Sequence, residues 1–169
     1  MGNVELLMQW LEIPSVTGDE QRFLETLEAH FGALGFQAKR QLLSPTRWNL
    51  LLTRGSARVL YSTHVDTVPP HLPVRREGDT IFGRGACDTK SGIVAMAAAG
   101  QRLLADGRTD FGYLFVVGEE VDHAGARLAP QLGVQTERII LCEPTTNRVV
   151  AAQKGMIKLH DRTYPPWVP

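Results

Sequence analysis

The run Val59-Leu60-Tyr61-Ser62-Thr63-His64-Val65-Asp66-Thr67-Val68-Pro69 decides how this chain is read. Its apolar start predicts a buried strand over Arg58 to Thr63, which delivers His64 and Asp66 at its C-terminal end. Residues i and i+2 of an extended chain share a face, so this imidazole and this carboxylate look toward one place. That is the geometry of a metal-ligating histidine with a carboxylate orienter. Taken alone, the same residues also read as a polar turn after a strand.

Working outward, Val4, Leu7, Met8 and Leu11 recur at helical spacing, and Pro14 stops that helix. Thr17-Gly18-Asp19-Glu20 offers an N-cap and first-turn acids to a second helix, whose stripe is Phe23, Leu24, Leu27, Phe31 and Leu34 before Gly35. Strands are expected over Phe36 to Leu43 and Asn49 to Thr53, with a turn at Ser44-Pro45 and a hairpin turn at Arg76-Glu77-Gly78-Asp79. Ser91 to Ala105 predicts a small-residue helix buried over much of its surface. Gly112 to Val117 reads as a strand, Ala124 to Leu132 as a helix, and Arg138 to Cys142 as a last strand. Helices alternating with short apolar strands predict an α/β fold with a mostly parallel, mixed sheet flanked by helices. The end, Tyr164-Pro165-Pro166-Trp167-Val168-Pro169, cannot join a central strand, because proline lacks the ladder donor.

The 169 residues suffice for one sizeable core, and 43% hydrophobic with 21% charged residues fits a soluble globular protein. A net charge of +0 favours neither nucleic acid nor an anionic membrane, and no apolar run approaches a membrane span. Two cysteines, Cys87 and Cys142, do not make a disulfide framework, so a cytoplasmic setting is the expectation.

Further acidic signals fall at strand ends. Gly83-Arg84-Gly85-Ala86-Cys87-Asp88-Thr89-Lys90 leads into the small-residue helix, with Asp88 at the junction, where an N-cap would also be at home. Gly118-Glu119-Glu120 and Glu143-Pro144-Thr145 each follow an apolar strand. Ligands of open α/β sheets gather at the C-terminal strand ends. One histidine and five carboxylates reach that edge from four segments, the mixture a two-metal site with a free base requires. Asp88-Thr89-Lys90-Ser91 is not a phosphate loop, since Thr89 stands where that pattern needs glycine. His123 reads as a helix-start or surface histidine, His30 and His71 carry no motif, and Arg75, Arg76 and Arg84 read as a solvated face.

With these motifs in order, the chain resembles the zinc amidohydrolases and peptidases of the M20 group, which includes acetylornithine deacetylase and succinyl-diaminopimelate desuccinylase. The resemblance runs from about Val4 to Lys158. It implies that His64, Asp88 and Glu143 bind one metal, that Asp88 bridges to a second held also by Glu120, and that Asp66 orients His64. It implies Glu119 as the general base, and a cis peptide at Asp88-Thr89. It further implies two zinc ions in a complete site, with cobalt as a substitute, and a small N-acyl amino acid or peptide as substrate, without nucleic acid or membrane partners. Enzymes of the group are about twice this length, dimeric through a lid domain that is not in this sequence. Residues 1–158 thus read as the N-terminal part of a catalytic domain and 159–169 as a divergent or disordered tail. The expected activity is amide hydrolysis of an N-acyl amino acid, weak or lost in so short a chain. The alternatives are a dipeptidase or carboxypeptidase of the same group, or a non-catalytic metal-binding remnant.

Overall fold

The computed structural model describes residues 2–152; the expectations for the tail after Lys158 lie outside them. Two helices, α1 (Asn3–Leu11) and α2 (Gln21–Ala33), precede a hairpin of β1 (Gln37–Ser44) and β2 (Arg47–Thr53). Then come β3 (Val59–His64), a small hairpin of β4 (Arg75–Glu77) and β5 (Thr80–Phe82), and the long helix α3 (Lys90–Ala105). The chain continues through β6 (Phe111–Val116), a short α4 (Ala124–Leu128) and β7 (Arg138–Leu141).

The main sheet has the order β1-β2-β6-β3-β7. Its pairings are antiparallel from β1 to β6 and parallel from β6 through β3 to β7. This is the expected mixed sheet, with its parallel pairings confined to the half that contains β3. There the register sets His64 opposite Val116 and Ser62 opposite Leu141, so three strands end side by side.

Alternation along the strands divides the core in two. Leu50, Leu52, Phe111, Tyr113 and Phe115 pack on one face against Phe23, Leu24, Leu27 and Phe31 of α2 and Ile93, Met96 and Ala97 of α3. Phe31 is the centre of this layer, its ring 4.4 Å from Tyr113, 5.7 Å from Phe115 and 5.9 Å from Phe36. Leu51, Leu60, Leu114 and Val116 face the other way and form a smaller cluster, partly covered by Ala129, Leu132 and Val134. β7 closes the sheet on that side with Ile139, Ile140 and Leu141 exposed.

Three local readings are corrected. The buried face of α1 is Leu6, Trp10 and Leu11, not the stripe through Val4, because Trp10 turns toward Phe23, 6.0 Å away. Glu20 occupies the N-cap position of α2 but caps nothing; its side chain is buried against Arg47. The helix expected over Ala124 to Leu132 is α-helical only to Leu128 and then tightens to a 3-10 turn around Pro130, whose missing N–H removes an α-helical bond. No helix among the described residues is long and apolar enough to cross a membrane.

Phe31 touches rings from both the helix layer and the sheet, so Phe31→Ala opens a cavity that neither rigid layer can fill. It is expected to cost about 3–5 kcal/mol, measured by urea unfolding at unchanged m-value.

Candidate metal centre

β3 presents His64 at its last position, nearly fully buried. Its Nδ1 lies 2.9 Å from the main-chain oxygen of Asp66 and 3.5 Å from Asp66 Oδ1. A proton on Nδ1 satisfies that carbonyl and turns Nε2 toward the edge of the sheet. Nε2 stands 3.0 Å from Asp88 Oδ1 and 3.9 Å from Glu143 Oε2. The ligand atoms of His64, Asp88 and Glu143 all lie within 4.8 Å of one another. One imidazole nitrogen and two carboxylate oxygens at that spacing suit a divalent ion.

Asp88 comes from the glycine-containing loop before α3, and the peptide joining it to Thr89 is cis, as the resemblance implies. Thr89, not Asp88, takes the N-cap position, which frees the Asp88 carboxylate to face His64. Lys90, buried at the start of α3, donates from Nζ to the carbonyls of Trp10 and Ile13 and lies 4.2 Å over the Phe23 ring. Burial pulls its pKa from the usual 10.5 to about 7. The loop that carries Asp88 is thereby tied to the end of α1.

The acidic loop after β6 is held from beneath. Asp66 accepts Glu119 N–H on Oδ1 at 3.0 Å, and on Oδ2 accepts Glu120 N–H at 3.1 Å and the Thr17 hydroxyl at 2.7 Å. Buried Asn49 staples the ends of the loop, accepting Val117 N–H at 3.3 Å and donating to the Gly125 carbonyl at 2.8 Å. Gly125 is required there: a Cβ would come 2.5 Å from the Val117 oxygen. Arg47 lies below Gly118 in a bidentate pair with Glu20, at 2.9 and 2.7 Å.

The electrostatics share one sign. Burial opposes protonation of His64, but the Asp66 carboxylate, with Glu143 and Asp88 beyond it, outweighs burial and raises its pKa from 6.5 to about 9. Burial and the charge of Asp88 push the Glu143 carboxyl up against the opposing effects of His64 and Thr63. Burial, then Asp88, does the same to Glu120. Asp66 goes the other way: burial would raise it, but the bonds from His64, Thr17 and the two loop amides bring it to about 2.

Of the residues singled out in the sequence, His64, Asp88 and Glu143 thus meet in one group. Glu120 is outside that group, and Asp88 is the neighbouring charge that acts on it most. The Glu119 side chain is partly exposed, with Oε1 3.5 Å from His123 Nδ1. Glu119, His64 and Glu143 line the same cleft of about 1040 Å³. His123 sits at the start of α4, with φ 55°. Neither Cys87, which is exposed, nor Cys142 joins a metal-ligand group among the described residues. In the sequence Thr17 reads only as part of a helix cap, whereas its hydroxyl serves Asp66, and Arg47 and Asn49 carry no motif. Asn49, set between Trp48 and Leu50 in an apolar strand, was the one with a visible signal, since a buried amide must find partners.

A family pattern described as Peptidase family M20/M25/M40 matches residues 60–168. A peptidase M20 domain-containing protein of Schizosaccharomyces pombe is 37% identical over 162 residues, which cover 90% of this chain and 40% of that protein. The LysW-lysine/LysW-ornithine hydrolase of Sulfurisphaera tokodaii is 32% identical, over 92% of this chain and 43% of its own length. In fold, the chain is similar to the crystal structure of a tripeptidase from Staphylococcus aureus, with a TM-score of 0.72 at 23% identity, over 83% of this chain and 42% of that one. The chain therefore spans less than half the length of these similar proteins.

Asp66→Asn keeps the main-chain oxygen that His64 uses but sets an NH2 group against donors. A loss of about 1–3 kcal/mol in thermal unfolding is expected; a wild-type midpoint would show that the carboxylate does not hold the loop.

Proposed function

Since this chain belongs to peptidase family M20/M25/M40, we propose that it forms part of a metal-dependent hydrolase that cleaves the amide bond of an N-acyl amino acid, as acetylornithine deacetylases do. The observation that carries this reading is the cluster of His64, Asp88 and Glu143 beside the partly exposed Glu119. The donor set fits zinc, with cobalt as a substitute. His64, Asp88 and Glu143 would hold one ion, and Asp88 with Glu120 would hold a second. Bound there, the ions would polarise the scissile carbonyl and acidify the attacking water.

The chain's own residues supply the rest. Asp66 and the main chain beside it fix the imidazole of His64 and the amides of Glu119 and Glu120. Glu119 takes a proton from the attacking water and returns it to the leaving nitrogen as the C–N bond breaks, giving a carboxylate and a free amine. Its side chain lines one cleft with His64 and Glu143. The Sulfurisphaera relative is named for lysine and ornithine, which favours a substrate built on an amino acid. Dipeptides and C-terminal peptide bonds present the same amide to the same groups and are the second reading.

Equilibrium dialysis against zinc or cobalt, read by plasma emission, tests the site. The chain is expected to retain at least one ion and His64→Ala to lose it; a wild-type chain without retained metal rejects the reading. N-acetylornithine, other N-acyl amino acids and dipeptides then serve as substrates. Glu119→Gln is expected to keep the metal and to lower kcat by roughly 10²–10⁴. Equal turnover by the two chains would remove Glu119 from the role of base; no turnover by either, with metal retained, would leave a metal-binding remnant as the better account.

A further inference from the structure

We propose that Thr63 is a positioning residue of the metal centre, holding one oxygen of Glu143 so that the other faces His64 and Asp88. This rests on the reading of those three side chains as metal ligands. Thr63 adjoins His64 on β3 and is almost wholly buried. Its hydroxyl lies 2.9 Å from the main-chain oxygen of Cys142, 3.1 Å from the Thr89 hydroxyl and 3.3 Å from Glu143 Oε1. One hydroxyl therefore touches the segment that carries Asp88 and the segment that carries Glu143, and sits one residue from His64. No other part of the centre reaches the Glu143 carboxylate from behind among the contacts of the described residues.

Proton counting makes the arrangement specific. A threonine hydroxyl donates once and accepts up to twice. The Thr89 hydroxyl lies 3.2 Å from the Cys142 carbonyl and can satisfy it. The carbonyl has lone pairs for both hydroxyls, but once Thr89 serves it Thr63 can give its single proton to Glu143 Oε1, while Oε2 is the oxygen 3.9 Å from His64 Nε2. In the opposite arrangement Thr89 donates to Thr63, Thr63 donates to the Cys142 carbonyl, and Glu143 is left to turn freely. A cation on Oε2 favours the first arrangement, because it fixes the carboxylate in the orientation Thr63 holds. The fit around the contact is close: a Cβ on Gly92 would stand 3.1 Å from the Thr89 hydroxyl and 3.0 Å from Cys142 Sγ, so a larger residue at 92 would press on both.

Cobalt titration of the full 169-residue chain tests the proposal, with circular dichroism and thermal unfolding confirming that each variant is folded. Thr63→Val keeps the shape and removes the donor, while the Cys142 carbonyl retains Thr89. It is expected to weaken cobalt binding about 10–100-fold, the range typical of groups that orient metal ligands. Thr63→Ser, which restores a hydroxyl without the methyl, is expected to return the affinity to within about threefold of wild type. A merely structural threonine would not give that pattern: a folded Thr63→Val chain with wild-type affinity overturns the proposal, as does a serine variant no better than valine. Should the valine variant not fold, Thr89→Val asks the same question, because the Cys142 carbonyl then draws the Thr63 proton away from Glu143. Weaker cobalt binding supports the proposal and unchanged binding overturns it. A wild-type chain that takes up no cobalt is a distinct result, which rejects the metal centre itself.

Discussion

The buried carboxylate of Asp66 is the constraint on which the site depends. An ion removed from water is tolerated only when its oxygens are fully engaged. Here the partners come from three places: the Thr17 hydroxyl from the connection between α1 and α2, and the main-chain amides of Glu119 and Glu120 from the loop after β6, with His64 alongside on the Asp66 segment itself. No one of these segments can leave without orphaning a buried charge. The loop carrying two adjacent glutamates is thus pinned by its backbone, so their side chains need make no structural bonds.

That leaves a local surplus of negative charge. Against burial, the Asp66, Glu143 and Asp88 carboxylates draw His64 toward its protonated form, and the Glu143 and Glu120 carboxyls are pushed up first by burial and then by the charge of Asp88. The basic side chains Arg47 and Lys90 are committed elsewhere. Arg47 is held by Glu20, and Lys90 by the carbonyls of Trp10 and Ile13. A cation from solution would add positive charge where the ligand atoms of His64, Asp88 and Glu143 already stand together.

The parts of this arrangement that were legible in the sequence are the local ones. Strand period put His64 at a C-terminal end, and the glycines around Arg84, Gly118-Glu119-Glu120 and Glu143-Pro144 marked the loops that meet it. The Asp88 position could be read either as a helix cap or as a ligand, and the structure gives the cap to Thr89. What escaped reading depends on partners distant in the chain. Thr17-Gly18-Asp19-Glu20 reads as a cap and first-turn acids of α2, yet Glu20 stands at the N-cap position and its side chain pairs with Arg47 of β2 instead. Trp10 rotated the buried face of α1 by finding Phe23. The roles of Thr63 and Asn49 are set by loops roughly 70–80 residues away in sequence, beyond the reach of any local period.

β7 adds a dynamic consequence. Among the described residues it is the outermost strand, joined to the sheet only through β3 and exposed along its whole length, yet Glu143 comes two residues after its end. Elements with so little cover open locally at a small fraction of the global unfolding free energy. Each such opening would withdraw Glu143 while leaving His64 in place on a central strand. A cation shared by the two would bind only the closed form, so by linkage its binding energy becomes a latch on the sheet's weakest margin. Occupancy of the centre and amide-exchange protection of residues 138–141 should therefore rise and fall together, although none of these four residues is among the candidate ligands.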